Sequence, residues 1–415
     1  VEIWLLDIPS ATARKLTEAR ANANMGDVIN WFEDSEAILV KMISTDKKPL
    51  INTKQAVPTG PTISVADGKK AQNRTYQDLL QNPNDEHNFE QLALSEIHKV
   101  HMDGSSEPWL GSAMYSEISF SPDGNYVMVT TVEKPFSYLV PYYRFPSVTT
   151  IYSKEATKVE TVLEVPLIED LPKGFMAVRK GRRNMNWRSD RPATLVFAEA
   201  LDGGDPAVEV EHRDQVYALE APFNGTPKSL LKTLNRYAGI TWGDEEVAIA
   251  YDRWWNTRNA KTYLFDPSDP SSDPVVLFDL NYQDRYSDPG NFVTERNEYG
   301  SYVLSLNKNN AFLIGSGYTP EGQFPFLDQM NLKKLETKRL YQSEYTDRLE
   351  NLADFDVKKN RLLVSIQSPT EYPNYYFRDL KNKKLTQLTA FENPFKSLQD
   401  VHKEVITYER DDGLE

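Results

Sequence analysis

Short runs of alternating apolar and polar residues recur along almost the whole chain, and hardly any stretch keeps a 3.6-residue period for the length of an amphipathic helix. The pattern predicts β-strands joined by tight turns. Two kinds of hairpin can be told apart. In the first, two apolar runs flank a turn rich in acids, Gly, Asn or Lys, as at Asp27–Ile43, Glu117–Val132, Asn184–Ala200, Tyr237–Asp252, Tyr302–Tyr318 and Asn351–Gln367. In the second, an aromatic-apolar strand precedes a polar turn and a short returning strand. These are Ile3–Leu16, Leu92–Gly104, Thr149–Leu163, Gln215–Leu231, Thr262–Phe278, Phe326–Leu340 and Tyr375–Leu388.

The two kinds alternate strictly, so one of each makes a four-stranded antiparallel unit, the blade of a β-propeller. The expected fold is all-β, a seven-bladed propeller whose first blade is incomplete, because the chain opens on a second-type hairpin without its partner. The first-type hairpins begin 49 residues apart at the closest (302 to 351) and 90 at the widest (27 to 117), so several blades carry long loops. The longest interruption, 46–90, reads as an insertion within a blade. Its Pro- and Thr-rich part, Asp46–Lys70, is expected to be extended, and Thr75–Leu80 with Asp85–Leu94 to form one or two helical turns. The propeller is assigned to 1–404. Both ends read as cuts, the last residues, Tyr408–Glu415, as a strand and turn.

Composition narrows the function. Lys and Arg number 47 and Asp and Glu 61, a formal net charge of −14 that repels a phosphate backbone, so nucleic acid is not an expected partner. No apolar stretch approaches the roughly 18 residues of a membrane span. The absence of Cys excludes a disulfide scaffold, a thiolate zinc site and a cysteine nucleophile.

Nucleophilic hydrolysis calls for a Ser on a tight turn, and no Gly-x-Ser-x-Gly is present; Gly315-Ser316-Gly317 is read as a turn. Of the five His, only His98 and His101 are close, and a strand would send them to opposite faces. No metal or cofactor is expected. Asp266, Asp269 and Asp273 read as a solvated turn, and the pairs Glu245-Glu246 and Asp411-Asp412 point apart on extended chain. One cationic island stands out: Arg179, Lys180, Arg182, Arg183, Arg188 and Arg191 face a single acid, Asp190. Guanidinium groups suit bidentate capture of a carboxylate, so the island is a candidate grip for an acidic peptide, against the plainer reading of a solvated loop. A second candidate is Arg253, Trp254, Trp255 and Arg258, which either line a peptide pocket or pack a blade.

Several segments together resemble one family: Leu5-Leu-Asp-Ile8 with Lys15-Leu-Thr17, Val57-Pro-Thr-Gly-Pro61, Arg74-Thr-Tyr-Gln-Asp-Leu-Leu80, Ser121-Pro-Asp-Gly124 and Ala200-Leu-Asp-Gly-Gly-Asp205. Trp254-Trp-Asn-Thr-Arg258, Thr319-Pro-Glu-Gly322 with Pro325-Phe-Leu327, and Val405-Ile-Thr-Tyr-Glu-Arg-Asp-Asp-Gly413 complete the set. The ordered set resembles the propeller region of prolyl oligopeptidase family serine peptidases, in the glutamyl endopeptidase-like branch of bacteria and chloroplasts. The resemblance implies that 405–415 leads into a C-terminal α/β-hydrolase domain carrying the Ser, Asp and His, and that the propeller admits peptides while excluding folded proteins. No position here matches the catalytic motif, so no catalytic residue is carried over. The implied partners are a peptide substrate and that hydrolase domain, and the bacterial look of the resemblance points to the periplasm or secretion. A competing reading is a stand-alone propeller that holds partner proteins and has no activity.

Overall fold

A computed structural model describes residues 1–52, 55, 60, 76–398, 401 and 404–414. They belong to two compact units, Val1–Asp279 with Arg296–Val303, and Leu280–Glu295 with Leu304–Glu415. Strands dominate both, arranged as four-stranded antiparallel sheets of the kind from which propellers are built.

In the first unit, Trp4–Asp7 and Thr12–Lys15 form a two-stranded hairpin. Four four-stranded sheets follow, and in each the strands pair in chain order. The first sheet comprises Ile29–Trp31, Ala37–Ile43, Ser95–His101 and Ser106–Ala113, and the second Tyr115–Phe120, Tyr126–Val132, Ser147–Ser153 and Lys158–Val165. The third comprises Arg183–Trp187, Thr194–Ala200, Asp214–Glu220 and Lys228–Thr233, and the fourth Arg236–Trp242, Ala248–Trp254, Asn259–Phe265 and Val275–Asn281. Alternation puts apolar side chains on both faces of the second strands, so successive sheets stack through continuous apolar layers. Leu39 and Ile97 pack with Ile118 and Val129 between the first and second sheets. Ile151 meets Leu195 and Phe197 between the second and third, and Val216 meets Ala248 and Tyr263 between the third and fourth.

The two edges of these sheets differ. At one, turns are short, none longer than the stretch 266–274, and they close by a repeated device: an Asp side chain accepts the backbone N–H two residues on. Asp34 does so from Glu36, Asp103 from Ser105, Asp123 from Asn125, Asp244 from Glu246 and Asp266 from Ser268. At the other edge lie the loops 44–94, 133–146, 166–182 and 201–213.

In the second unit, Leu349–Asp356, Arg361–Gln367, Asn374–Asp379 and Leu385–Gln387 form one four-stranded sheet, Asn291–Phe292, Asn310–Gly315, Phe326–Asn331 and Glu336–Gln342 another, and Tyr318–Thr319 pairs with Gly322–Gln323. Phe312 and Leu327 pack against Phe355 and Leu362.

Most expected hairpins form, with four corrections. Leu313 and Ile314 pair with Phe292 and Asn291, so the first-type hairpin placed at Tyr302–Tyr318 does not form as expected. Gly290 permits this pairing: its φ is +84°, and a Cβ there would stand 2.4 Å from the Ile314 carbonyl oxygen. The hairpin placed at Leu92–Gly104 starts only at Ser95, and its second strand lies beyond it at Ser106–Ala113. The insertion holds an 11-residue helix, Pro83–Ala93, longer than the one or two turns expected. Asn82 caps it by accepting from the Asp85 N–H, Pro83 opens it, and Asp85 and Glu86 face its positive end. Residues 76–80 are not helical, and the expectations for 53–54, 56–59, 61–70 and 74–75 fall outside the described residues. Finally, 404–410 forms no strand; Val405, Ile406 and Tyr408 are exposed without a neighbouring strand, and only the turn at Asp411–Gly413 is found.

Candidate functional site

A strand cuts the cationic island in two. Arg183–Trp187 runs from one edge of the third sheet to the other, which leaves Arg179, Lys180, Arg182 and Arg183 at the long-loop edge and Arg188 and Arg191 at the short-turn edge. Arg188 is buried there, with Nε and Nη2 on Asp190 at 3.0 and 2.6 Å and its guanidinium 4.0 Å over the Trp242 ring. Arg191 reaches Glu245 at 2.8 Å.

At the long-loop edge the first positions of three strands come together, Arg183, Asp214 and Arg236. Arg183 pairs with Asp214 through Nη2; Asp214 also accepts from Arg236 Nη1 at 3.1 Å and from the Tyr237 N–H at 2.7 Å. Asp202, in the loop 201–213, accepts from Arg236 Nη2 at 2.7 Å, Arg213 Nη1 at 3.0 Å and the Gly204 N–H at 2.9 Å. Both carboxylates are fully buried and are held by three guanidinium groups, of which those of Arg183 and Arg236 are also buried and that of Arg213 is partly exposed. Burial alone would push the Asp202 carboxyl up, yet the bonds from Arg236 and Arg213 outweigh it and hold its pKa below the ordinary value. Gly204 fastens this loop to its neighbour: its N–H serves Asp202, its carbonyl accepts from the Val178 N–H at 3.0 Å, and a Cβ on it would lie 2.0 Å from the Val178 oxygen.

The second candidate stretch arrives at the same edge. Trp254 packs on the network, with the Arg213 guanidinium 4.5 Å and that of Arg236 5.9 Å from its ring. Trp255 is exposed, 5.1 Å from the Phe175 ring and 3.9 Å from the Arg258 guanidinium. Arg258 sits in the left-handed region at φ 57° and donates through Nη1 to the Trp255 carbonyl at 2.6 Å. Arg253 is exposed opposite Arg236 in the ladder. Arg182 donates to the Val162 carbonyl at 3.0 Å and lies 4.6 Å over Phe197, while Arg179 donates to Lys180 O at 3.1 Å. Desolvation, with the nearby charge of Arg183, lowers the pKa of Arg179. The structure thus brings Arg179, Arg182, Arg183, Arg253, Trp254, Trp255 and Arg258 to one edge, and sends Arg188 to the other. Sequence reasoning missed Asp202, Asp214, Arg213, Arg236 and Phe175; the available signal was the acid inside Ala200-Leu-Asp-Gly-Gly-Asp205.

The remaining candidates have local partners. Glu96 accepts from the Thr45 N–H at 2.7 Å and its hydroxyl at 2.6 Å, which anchors the root of the insertion and lowers the Glu96 pKa to about 2. His98 bridges Glu96 through Nε2 and Ser106 through Nδ1, both at 3.2 Å, the reverse of the order in which a catalytic triad uses the two nitrogens. His101 lies 3.6 Å from Glu107 and His87 2.9 Å from the Pro49 carbonyl; His402 is outside the described residues. Among the described residues no group of three or more His, Asp or Glu is placed to hold a metal ion, and no helix is long and apolar enough to cross a membrane.

Two curated proteins match the chain from end to end. "Probable glutamyl endopeptidase, chloroplastic" of Oryza sativa subsp. japonica is 35% identical over 436 aligned residues, covering 100% of this chain and 46% of the rice protein. Its namesake in Arabidopsis thaliana is 33% identical, covering 100% of the chain and 45% of that protein. Over its whole length the chain is similar to one region of the glutamyl endopeptidase-like proteins. It spans a little under half the length of these curated relatives. Its ordered motifs resemble the same branch. No protein-family model matches the chain. Among solved structures, the β-propeller domain of the Trilobed protease from Pyrococcus furiosus overlaps with a TM-score of 0.39 at 11% identity, over 95% of this chain and 89% of that one.

Proposed function

We propose that this chain is the substrate-gating propeller region, residues 1–404, of a serine peptidase of the prolyl oligopeptidase family that cleaves peptides after glutamate. The ring in this reading has seven blades, the first represented by the hairpin at Trp4–Lys15, and 405–415 leads to a C-terminal α/β-hydrolase domain that carries the catalytic Ser, Asp and His. The region itself narrows access and orients peptides. The observation that carries the reading is the 35% and 33% identity, over the whole of this chain, with proteins named "Probable glutamyl endopeptidase, chloroplastic". A second support is the cationic, aromatic edge formed by Arg179, Arg253, Trp255 and Arg258, whose chemistry suits an acidic peptide.

The test uses the full-length protein and short peptides with Glu, Pro or Ala before the scissile bond. Glutamyl peptides are expected to be preferred. Arg179→Ala with Arg258→Ala is expected to raise KM for glutamyl peptides about tenfold with kcat unchanged, since charge-assisted contacts to the bound peptide are lost while the reacting atoms are untouched. An unchanged KM removes both residues from the site, and equal turnover of all three peptides ends the glutamate assignment.

A further inference from the structure

At the short-turn edge of the first unit, a cavity of about 440 Å³ opens between the third and fourth sheets. Its lining includes Arg188, Arg191, Thr194, Lys228, Leu230 and Pro270. Three lining side chains are cationic and one, Glu220, is acidic, in a protein whose formal net charge is −14. Lys228 holds Glu220 at 2.8 Å, and Arg191 is shared with Glu245.

Arg188 is the fixed element. Its side chain is 6% exposed, stacked on Trp242 and bound through Nε and Nη2 to Asp190. Its Nη1 has no hydrogen-bond partner among the described residues, and neither has the hydroxyl of Thr194, a buried residue on the same cavity wall. A guanidinium immobilised on one side by a carboxylate and a ring loses little freedom when its remaining N–H groups bind an oxygen anion.

We infer that this cavity binds a small oxyanion, a carboxylate or a phosphate. The anion accepts from Arg188 Nη1 and from the Thr194 hydroxyl, with the ammonium of Lys228 and the guanidinium of Arg191, each also paired with a carboxylate, on the same lining, and any carbon portion rests on Leu230 and Pro270. The site lies at the edge opposite the proposed peptide face and is independent of it.

Inorganic phosphate and succinate, titrated separately into the whole chain by calorimetry at fixed ionic strength, test the assignment. Saturable binding of at least one is expected. Thr194→Val and Lys228→Gln, which leave the Arg188–Asp190–Trp242 packing in place, are each expected to weaken it about tenfold, the usual cost of one lost charge-assisted bond. Thr194→Ser should retain it, because the hydroxyl remains. Lys358→Gln, an exposed cation of the second unit, should change nothing. Saturation by phosphate alone or by succinate alone identifies which oxyanion the site takes. No saturation with either probe, or equal weakening by Lys358→Gln, overturns the inference.

Discussion

The two edges of the first unit's sheets are made from the same strands and opposite chemistry. At the short-turn edge each Asp satisfies a backbone N–H two residues away, and the turns at Asp34, Asp103, Asp123 and Asp244 repeat one local solution. At the long-loop edge the decisive contacts join residues far apart in the chain. Arg236 binds Asp202 and Asp214, and the exposed Phe175 meets Trp255. Local turns can be replaced one at a time, whereas the long-loop edge stands or falls as a network.

Asp214→Ala should sharpen that contrast most. It strips Arg183 of its carboxylate partner, Arg236 of one of its two and the Tyr237 N–H of its acceptor, leaving the buried Arg183 uncompensated, a loss of about 3–5 kcal/mol in urea unfolding. Asp244→Ala, at the opposite edge, removes bonds to the N–H groups of Glu246 and Val247 in exposed surroundings and should cost about 1 kcal/mol. Equal losses would abolish the distinction between the edges. Neighbouring glycines give a smaller effect. Gly204→Ala forces a Cβ to 2.0 Å from the Val178 oxygen, whereas Gly203→Ala meets nothing nearer than Lys180 Cε at 3.7 Å. Both carry the strain of positive φ, about 1 kcal/mol, and only Gly204→Ala adds a clash, so its melting temperature should fall by at least twice as much.

A further contrast is a pH dependence at the root of the insertion. Bonds from the Thr45 hydroxyl and N–H bring the Glu96 pKa from 4.5 down to about 2 in the folded chain. A lowered carboxylate pKa contributes stability that is complete above the unfolded value and is lost as pH falls through the folded one. Glu96→Gln should therefore be less stable than the parent at pH 6, and the gap should close toward pH 2. A gap that stays constant with pH would show that the charge of Glu96 contributes nothing.

These differences also explain what could be read in advance. Period-two alternation and turn chemistry are local, so hairpins such as Glu117–Val132 and Asn351–Gln367 were legible. Pairing of Phe292 with Leu313 was not, because it depends on how closely Gly290 approaches the Ile314 carbonyl. The island Arg179–Arg191 was visible as charge, but its division followed from the length of one strand, which carries Arg183 and Arg188 to opposite ends. The motif Ala200-Leu-Asp-Gly-Gly-Asp205 marks Asp202 as part of a family segment, but the roles of Asp202 and Asp214 are not local, since their shared partner Arg236 lies 34 and 22 residues downstream.

The clasp between Gly204 and Val178 bears on protein engineering. Swapping either the loop 166–182 or the loop 201–213 alone into a homologous scaffold should disturb the other, because the Val178 N–H bonds the Gly204 carbonyl and the Val178 oxygen leaves no room for a Cβ on residue 204. A chimera that transplants both together, with Arg236 retained, should fold; one that imports a single member inherits a mismatched joint.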